Sequence, residues 1–313
     1  MARYPQPYAQ YRRPASELSP ARVNITGVDG VFRGSEAIAS GAITRARLRW
    51  NYRAVFPDVY EENAALPSLR RKTAAAWLWS RRGGIITGRA AAALHGARWV
   101  DADTPVEMLW RSGRPPAGIV VRNELIEDDE IVDIAGLKVT TPQRTALDIA
   151  RHLPRDLAVR HLDALANTTD IKAVDVLRLG ERYQRLRGLP RARTALALMD
   201  GGAQSPRETW LRLLLIDGGL PAPRTQVMVS DGFNVAFIDM GYDEPQVGLD
   251  YDGQQHMTDR GRYVHDIGRA ELIDRQGWID IHVVAEHSRR FILHRVYDAF
   301  ARRQYTPKLR RRS

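Results

Sequence analysis

The segment from Phe237 to His256 constrains the fold of this chain more than any other, because it mixes acidic residues into apolar stretches. Two short apolar runs, one ending in Asp239 and the other in Asp250, flank a turn centred on Glu244-Pro245. With that turn, the two aspartates lie opposite each other in an antiparallel strand pair, with Cβ atoms about 4.5–5.5 Å apart. Carboxylates crowded on a sheet either hold a cation or keep one acid protonated. The segment therefore predicts a β-hairpin that carries a metal site.

Nearby residues extend this predicted site. Asp252 shares a strand face with Asp250, although an Asp-Gly pair also suits a turn. Glu208 lies in the first turn of the preceding helix, where it completes a capping box and is a further candidate ligand. His256 could transfer protons and Arg269 could stabilise a phosphate. Their ordinary alternatives are a loop cap for the histidine and a surface ion pair for the arginine.

The absence of cysteine from all 313 residues limits the chemistry of such a site. Disulfides and thiolate metal centres are excluded. Oxygen and imidazole ligands remain, and they suit a hard cation such as Mg²⁺ or Mn²⁺. No apolar run is long enough for a transmembrane helix, and the first residues lack the apolar core of a signal peptide. We therefore expect no membrane partner and a cytoplasmic location.

The charge balance favours a polyanionic partner. The 47 lysines and arginines exceed the 37 acidic residues, which gives a formal net charge of +10 and a pI near 10.1. Nucleic acid is the simplest polyanion for a basic protein. A well-solvated, arginine-rich surface would explain the same balance without any partner.

The pattern of turns and apolar periodicity predicts a mixed α/β protein with several domains. The main boundary is expected at the polar, glycine-bearing break at residues 200–204. The predicted organisation is a flexible basic arm at 1–23, a winged helix-turn-helix at 24–66, an α/β and helical domain at 67–200, a mixed sheet flanked by helices at 203–305, and a basic tail at 306–313.

The winged helix-turn-helix prediction depends on the order of elements near the start of the chain. A short helix at 32–41 is followed by Thr44 as the N-cap of a second helix, and residues 52–60 form two extended pieces. Three arginines lie on or near the second helix and are candidates for contact with DNA phosphates or base edges: Arg45, Arg47 and Arg49. The alternative is that they are ordinary surface residues of a small helical domain.

The acidic residues also fit a longer pattern that ends in a second helix and a last strand. The pattern comprises Ser205-Pro206-Arg207-Glu208, Asp239, Asp250-Tyr251-Asp252-Gly253, His256, Asp266, Arg269 and Gly277-Trp278. In order and spacing, the chain from about residue 205 to its end resembles the Vsr-like endonuclease domains of the PD-(D/E)xK superfamily. That resemblance implies Mg²⁺-dependent phosphodiester hydrolysis, with metal bound by Asp239 and Asp250 and assisted by Glu208.

Two positions depart from the pattern of the superfamily. Asp250 stands where glutamate is usual, so its carboxylate is one methylene closer to the backbone. Asp252 stands where many members have lysine, a replacement that is normal in the Vsr-like branch. The metal ligands are retained, and the first departure predicts a site that binds metal but cuts inefficiently.

A second motif lies in the middle of the chain. Residues 139–148 read Val-Thr-Thr-Pro-Gln-Arg-Thr-Ala-Leu-Asp, and the region resembles the AbiEi-type antitoxins, whose familiar form is Thr-x-Pro-x-Arg-Thr-x-x-Asp. Together with the predicted winged helix, this resemblance implies a role in a toxin–antitoxin or defence context with a cognate toxin or defence protein as partner. Helix packing alone is the competing explanation of the motif.

Three functional hypotheses follow from the sequence. The first is a DNA-binding protein with a Mg²⁺-dependent endonuclease-like C-terminal domain. The second is an antitoxin-type transcriptional regulator whose C-terminal domain is not catalytic. The third is a carboxylate-metal hydrolase acting on a small substrate, against which the positive charge and the predicted wing argue.

Overall fold

The computed structural model describes residues 27–111, 114–183, 185–252 and 260–308, with the side chains of the last range described from 267 onward. Within these ranges the predicted mixed α/β class is confirmed. The predicted arm at 1–23 and most of the predicted tail lie outside them. None of the helices described has the length and apolarity to cross a bilayer.

The described residues form eleven helices. They are α1 Gly34–Ala39, α2 Arg45–Asn51, α3 Leu69–Trp79, α4 Gly88–Leu94, α5 Pro142–His152, α6 Arg155–Thr169, α7 Ala173–Glu181, α8 Leu189–Leu196, α9 Pro206–Asp217, α10 Arg260–Arg275 and α11 Arg289–Arg302.

Three sheets contain the strands of the described residues, in the orders β1-β3-β2, β6-β5-β4-β8-β7 and β12-β11-β10-β9. The strands are β1 Val31–Arg33, β2 Tyr52–Phe56, β3 Val59–Glu62, β4 Ile85–Thr87, β5 Val106–Leu109, β6 Ile119–Arg122, β7 Ile131–Ile134, β8 Leu137–Thr140, β9 Arg224–Ser230, β10 Val235–Tyr242, β11 Val247–Tyr251 and β12 Ile279–Val283.

The first sheet and helices α1 and α2 have the predicted order of helix, turn, helix and hairpin. Thr44 caps α2 as expected, since its hydroxyl accepts a hydrogen bond from the Arg47 N–H at 3.2 Å. The prediction of a helix from Phe32 was wrong at its start, because Val31 and Phe32 are buried in β1, which pairs with β3. Helix α1 begins only at Gly34.

The turn between β2 and β3 is bound to the start of α1. The Asp58 carboxylate accepts hydrogen bonds from the Ser35 N–H at 2.8 Å, the Ser35 hydroxyl and an Arg33 guanidinium N–H at 2.9 Å. Asp58 itself adopts the left-handed conformation (φ 62°) that the tight turn requires. The tip of the β2–β3 hairpin is therefore held against the start of α1.

Helix α3 joins this unit to the middle domain. Its buried alanines and Leu78 pack in one cluster with Val59 of the first sheet and with Ile86 and Val139 of the second. The Arg82 guanidinium also binds the Glu36 carboxylate with two contacts of 2.7–2.8 Å, and this ion pair lowers the pKa of Glu36 to about 2. The first sheet and the middle domain thus share a single apolar core.

The five-stranded sheet of the middle domain contains strands β4 to β8. Residues 131–140 form two of these strands, β7 and β8, because Ala135-Gly136 forms a turn with both φ angles positive. The strand β4 was not predicted, since only three residues separate Gly83-Gly84 from the helix that Thr87 precedes. Helices α5 to α8 pack together beside the sheet in a cluster of leucine, alanine and valine side chains.

A buried arginine lies at the centre of the middle domain. The Arg144 side chain is fully buried and donates to Asp148 at 3.1 Å, Glu130 at 2.7 Å and the Leu125 carbonyl at 3.0 Å. Asp148 in turn accepts from the Thr87 hydroxyl at 2.7 Å, next to the end of β4. The arginine and aspartate of the motif at residues 139–148 therefore connect α5 to the sheet and to the segment before β7.

The C-terminal domain is built on the four-stranded sheet. Strands β9, β10 and β11 form an antiparallel meander, and β12 returns parallel to β11 after α10. Helices α9 and α11 pack on the face that carries Leu249 and Ile281. Helix α10 covers the other face through Leu272 and Ile273. The edge of the β10–β11 ladder that lies away from its turn, where Asp239 faces Asp250, therefore lies between helical layers, where charged side chains lose contact with water.

Removal of the buried arginine should destabilise the middle domain. Arg144→Met keeps the volume but removes the closest cation of Glu130 and one of the two guanidinium partners of Asp148, so we expect the free energy of unfolding to fall by about 3–5 kcal/mol. Urea unfolding at neutral pH measures this. Arg178→Met, which changes an exposed arginine of α7, is the control. Equal losses in the two variants would show that the network contributes nothing specific.

Candidate functional site

The two predicted aspartates of the hairpin meet where β10 and β11 separate. The regular ladder ends at the pair Met240–Leu249. One step further, Asp250 Oδ1 accepts the Asp239 N–H at 2.8 Å, and Asp239 Oδ2 accepts the Tyr251 N–H at 2.8 Å. Each carboxylate thus replaces a backbone carbonyl of its own strand as the acceptor for the neighbouring strand. The predicted juxtaposition of Asp239 and Asp250 is present in the structure.

Strand β10 is irregular at Asp239. A regular strand would place Ile238 and Met240 on one face, but Ile238 packs with the α10 layer and Met240 with the α9 and α11 layer. Gly248 makes this possible, because a Cβ there would meet the Ile238 side chain at 2.8 Å. A backbone that changes face at a functional side chain is a common way to re-aim it. The change of face occurs at Asp239, the residue that the register of the hairpin places opposite Asp250.

The Asp239 carboxyl is unusually hard to ionise. Burial is the main cause, and the charges of Glu208 and Asp250 add to it, so the pKa of Asp239 is raised to about 7. Burial also raises the pKa of Glu208, whose N–H donates to the Ser205 hydroxyl at 3.2 Å as the predicted capping box requires. Its Oε2 accepts the N–H of Gln204 at 2.8 Å, one residue before the Ser205 N–H that a capping box would use. The capping role and the proximity to Asp239 therefore hold together for Glu208.

Arg269 of α10 supplies the main positive charge of the site. Its guanidinium donates to Asp250 Oδ2 and, at 3.1 Å from Nε, to the Phe237 carbonyl. Burial and the charge of Asp280 nevertheless raise the pKa of Asp250 to about 6, against the opposing effect of Arg269. The alternative of a surface ion pair does not describe Arg269, because its guanidinium reaches into the acidic cluster.

Sequence reasoning missed two polar residues of this cluster, Asp280 and His282 on β12. His282 Nδ1 lies 3.0 Å from Asp252 Oδ2, and its Nε2 lies 3.4 Å from Asp280 Oδ2. The contacts with Asp252 and Asp280 raise the pKa of His282 to about 10, so the imidazole is protonated near neutral pH. The signal was the polar alternation Asp280-Ile281-His282 in the last strand, which in the structure pairs with β11.

The side chains whose ligand atoms converge differ from the predicted set. Within the described residues, Asp250, Asp280 and His282 each place one ligand atom within 4.8 Å of the others, whereas Glu208, Asp239 and Asp250 are not a group of this kind. Glu208 acts on Asp239 through its charge. The prediction that Asp252 belongs to the cluster stands through its contact with His282.

Two predicted participants cannot be placed. His256 lies outside the described residues, as does the segment 253–259 that contains it. Asp266 belongs to α10, but its side chain is not among those described. The predicted proton-transfer role of His256 therefore stays a prediction.

A second group with metal-like spacing lies in the middle domain, and arginines neutralise it. Glu124, Asp148 and His152 have ligand atoms within 4.8 Å of one another. However, Arg151 donates to both carboxylates, at 2.9 Å to Glu124 and 3.0 Å to Asp148, and Arg144 also binds Asp148. With two guanidinium groups on its oxygens, this cluster is an ion-pair network that holds the domain together.

The exposed surface of α2 is basic. Arg45 and Arg49 lie one turn apart on its exposed side, without an ion-pair partner among the described residues. Trp50, which sequence reasoning did not single out, lies beside Arg49 with 76% of its surface exposed. Arg47 is half-buried on the flank of the helix, away from the other two. The three predicted arginines therefore do not form one continuous row.

One known family matches the middle of the chain. Residues 84–200 match the model of the AbiEi antitoxin C-terminal domain. The match contains the buried network of Arg144 and Asp148 and supports the antitoxin half of the resemblance. It does not extend to residues 203–305, whose Vsr-like character stays a prediction. No solved structure matches the chain significantly.

Two relatives were found in Mycobacterium tuberculosis, in strains CDC 1551 / Oshkosh and H37Rv, and both bear the name uncharacterized protein. Each is 26% identical to this chain over 178 residues, which is 56% of the chain. The matched region spans 65%, just under two thirds, of the length of each relative.

The raised pKa of Asp239 predicts a pH-dependent gain in stability for Asp239→Asn in metal-free protein. Between pH 4 and 7 the folded carboxyl, with a pKa of about 7, still binds a proton that an unfolded aspartate has already lost. The free energy of unfolding of the wild type therefore falls as the pH rises through this range. Asparagine has no such loss and can still accept the Tyr251 N–H. At pH 8 we expect the variant to be more stable by about 2–4 kcal/mol, and at pH 4 equally stable.

Urea unfolding in EDTA at both pH values measures this difference. Asp298→Asn, which changes an exposed aspartate of α11, is the control and should match the stability of the wild type at both pH values. A variant less stable than the wild type at pH 8 would show that the Asp239 carboxylate is well compensated in the fold.

Proposed function

We propose that the C-terminal domain binds a divalent cation and hydrolyses phosphodiester bonds in DNA. The observation that carries this proposal is the buried pairing of Asp239 and Asp250 across two diverging strands. Two cations, Arg269 and His282, lie in and around the site, and with every carboxylate ionised an excess of three negative charges remains, because five acids lie there: Glu208, Asp239, Asp250, Asp252 and Asp280. A divalent cation would offset this excess, and carboxylate oxygens are the ligands that Mg²⁺ and Mn²⁺ prefer.

The ligand roles follow from the oxygens that remain able to bind. Asp239 Oδ2 and Asp250 Oδ1 each accept one backbone N–H, and a carboxylate oxygen has capacity for a second contact. Asp239 Oδ1 accepts no hydrogen bond within the described residues. Asp239 and Asp250 would therefore bind the ion, and Glu208 would assist by adding its charge beside Asp239. The bound ion would supply Lewis-acid polarisation of a phosphoryl oxygen.

The remaining residues have roles that do not depend on contact with the ion. Arg269 lies against Asp250 with its guanidinium inside the cluster, where it would stabilise the negative charge that develops on a phosphate. His256 stays the predicted group for proton transfer. The basic character of the chain would draw DNA to the site through the phosphate backbone.

Cation binding and cleavage test this proposal. We expect Mn²⁺ to bind the wild type, as measured by electron paramagnetic resonance, and to raise its melting temperature, whereas Asp239→Ala should lose both effects because it lacks a ligand. Plasmid incubated with Mg²⁺ should be nicked by the wild type and not by Asp239→Ala.

Asp298→Ala serves as the matched control, because it removes an exposed aspartate from the same domain. It should bind Mn²⁺ and cut plasmid as the wild type does. Cleavage that is equal in the wild type and Asp239→Ala, or absent from both, would overturn the catalytic proposal.

We infer a second function, an antitoxin-type DNA-binding regulator, from a separate observation. The match of residues 84–200 to an antitoxin domain supports it, together with the exposed arginines of α2. In this function α2 contacts DNA, and the chain acts in a toxin–antitoxin or defence context with a cognate toxin or another defence protein. Both functions can reside in one chain, since they use different domains.

Charge removal on α2 tests this second function. In Arg45→Ala/Arg49→Ala, the affinity for the DNA fragment upstream of the protein's own gene should fall, and the slope of log K against log salt should weaken by about 0.9 for each phosphate that the variant no longer neutralises. Fluorescence anisotropy at several salt concentrations measures both quantities. The control is Arg191→Ala/Arg193→Ala, which removes two exposed arginines from α8. Unchanged binding by the α2 variant would show that this helix is not the DNA surface.

A further inference from the structure

The connection between the middle and C-terminal domains contains a buried aspartate that binds both of them. Asp163 of α6 is 1% exposed. Its Oδ1 accepts the Asp200 N–H at 2.8 Å, and its Oδ2 accepts the Thr209 hydroxyl and an Arg212 guanidinium N–H, each at 2.8 Å. Thr209 and Arg212 belong to α9. One carboxylate of the middle domain therefore holds the connecting segment and the first half of α9.

The segment 200–204, predicted as a boundary, is fixed from both sides. From the middle domain, the Asn167 amide donates to the Gly201 carbonyl at 2.8 Å, and the Trp99 indole N–H donates to the Gln204 carbonyl at 3.2 Å. From the C-terminal sheet, the Thr225 hydroxyl donates to Asp200 at 3.0 Å. Such a segment is a rigid junction, whereas flexible linkers have few contacts across them.

Helix α9 carries the acid that this junction orients. Glu208 directly precedes Thr209, so their side chains differ by about 100° around the helix axis. The bond from the Thr209 hydroxyl to Asp163 fixes the rotation of the helix, and that rotation sets the direction of Glu208. Glu208 is further held by the Gln204 N–H, which belongs to the same junction. Its charge acts on Asp239 across the interface of α9 with the sheet.

An ionic contact fixes the rotation of α9 better than an apolar contact would. Apolar packing between α6 and α9 could stabilise the interface equally well, since a buried ion pair gives little net stability. The Asp163 carboxylate, by contrast, accepts three hydrogen bonds from separate donors. The two from Thr209 and Arg212 are satisfied only at one rotation and one height of α9. We propose that Asp163 and Thr209 are positioning residues that hold Glu208 beside the cation site. The middle domain would then be part of the support of that site. This inference rests on the proposed cation-binding function.

Mn²⁺ affinity in isosteric variants of Thr209 tests the inference. Thr209→Val removes the hydroxyl and keeps the shape, and we expect it to weaken Mn²⁺ binding by roughly ten-fold or more, the effect typical of residues that orient a ligand. Thr209→Ser restores the hydroxyl and should bind nearly as the wild type does. Thr194→Val, at a helical threonine of α8 outside the junction, should leave the affinity unchanged. Melting of the metal-free proteins shows that every variant is folded.

The outcomes separate the inference from the function on which it rests. If the wild type binds no Mn²⁺, the proposed cation site is wrong and the inference falls with it. If the wild type and Thr209→Val bind Mn²⁺ equally, the positioning role is wrong and the cation site stands. If Thr209→Ser and Thr209→Val are equally weak, the hydroxyl has no role and the inference is overturned. Asp163→Asn should weaken binding as Thr209→Val does, and full affinity in that variant would overturn the inference too.

Discussion

The buried guanidinium of Arg144 is the interaction on which the middle of the structure depends. A charge removed from water is costly unless acceptors surround it, and Arg144 finds them in Asp148, Glu130 and a backbone carbonyl. Those acceptors come from different elements, so satisfying one side chain brings helix, sheet and connecting segment together. The domain that results supports α3 on one side and α9 on the other, and thereby orients both the basic helix and the acidic site.

The C-terminal site has the opposite charge balance. In the middle domain each buried acid has a guanidinium partner, whereas at the acidic site, where β10 and β11 separate, the acids outnumber the cations. Desolvation and mutual repulsion therefore raise the pKa values of Asp239 and Asp250 instead of being offset within the protein. A fold that tolerates such a cluster loses stability there, which is common at sites that bind a ligand or perform chemistry.

Local patterns identified most of the elements around these two centres. The N-cap at Ser205, the turn near Glu244-Pro245 and the apolar runs of β10 and β11 depend on neighbours within a few residues, so the sequence reveals them. Strand β4 and residues Asp280 and His282 were missed because their roles arise from pairing with distant strands. The sequence left the partner of Arg269 open between the site and a surface ion pair for a related reason, since only packing of α10 on the sheet directs its guanidinium inward.

The sequence by itself determined the mixed α/β class, the absence of thiolate chemistry and the juxtaposition of Asp239 with Asp250, because residue type and strand register specify these locally. The tertiary structure decided which acids share a space, which arginine neutralises them, and that residues 200–204 form a rigid junction. These features depend on contacts between residues far apart in the chain, such as Asp163 with Thr209, 46 positions later. Desolvation of such groups exists only once the chain has folded.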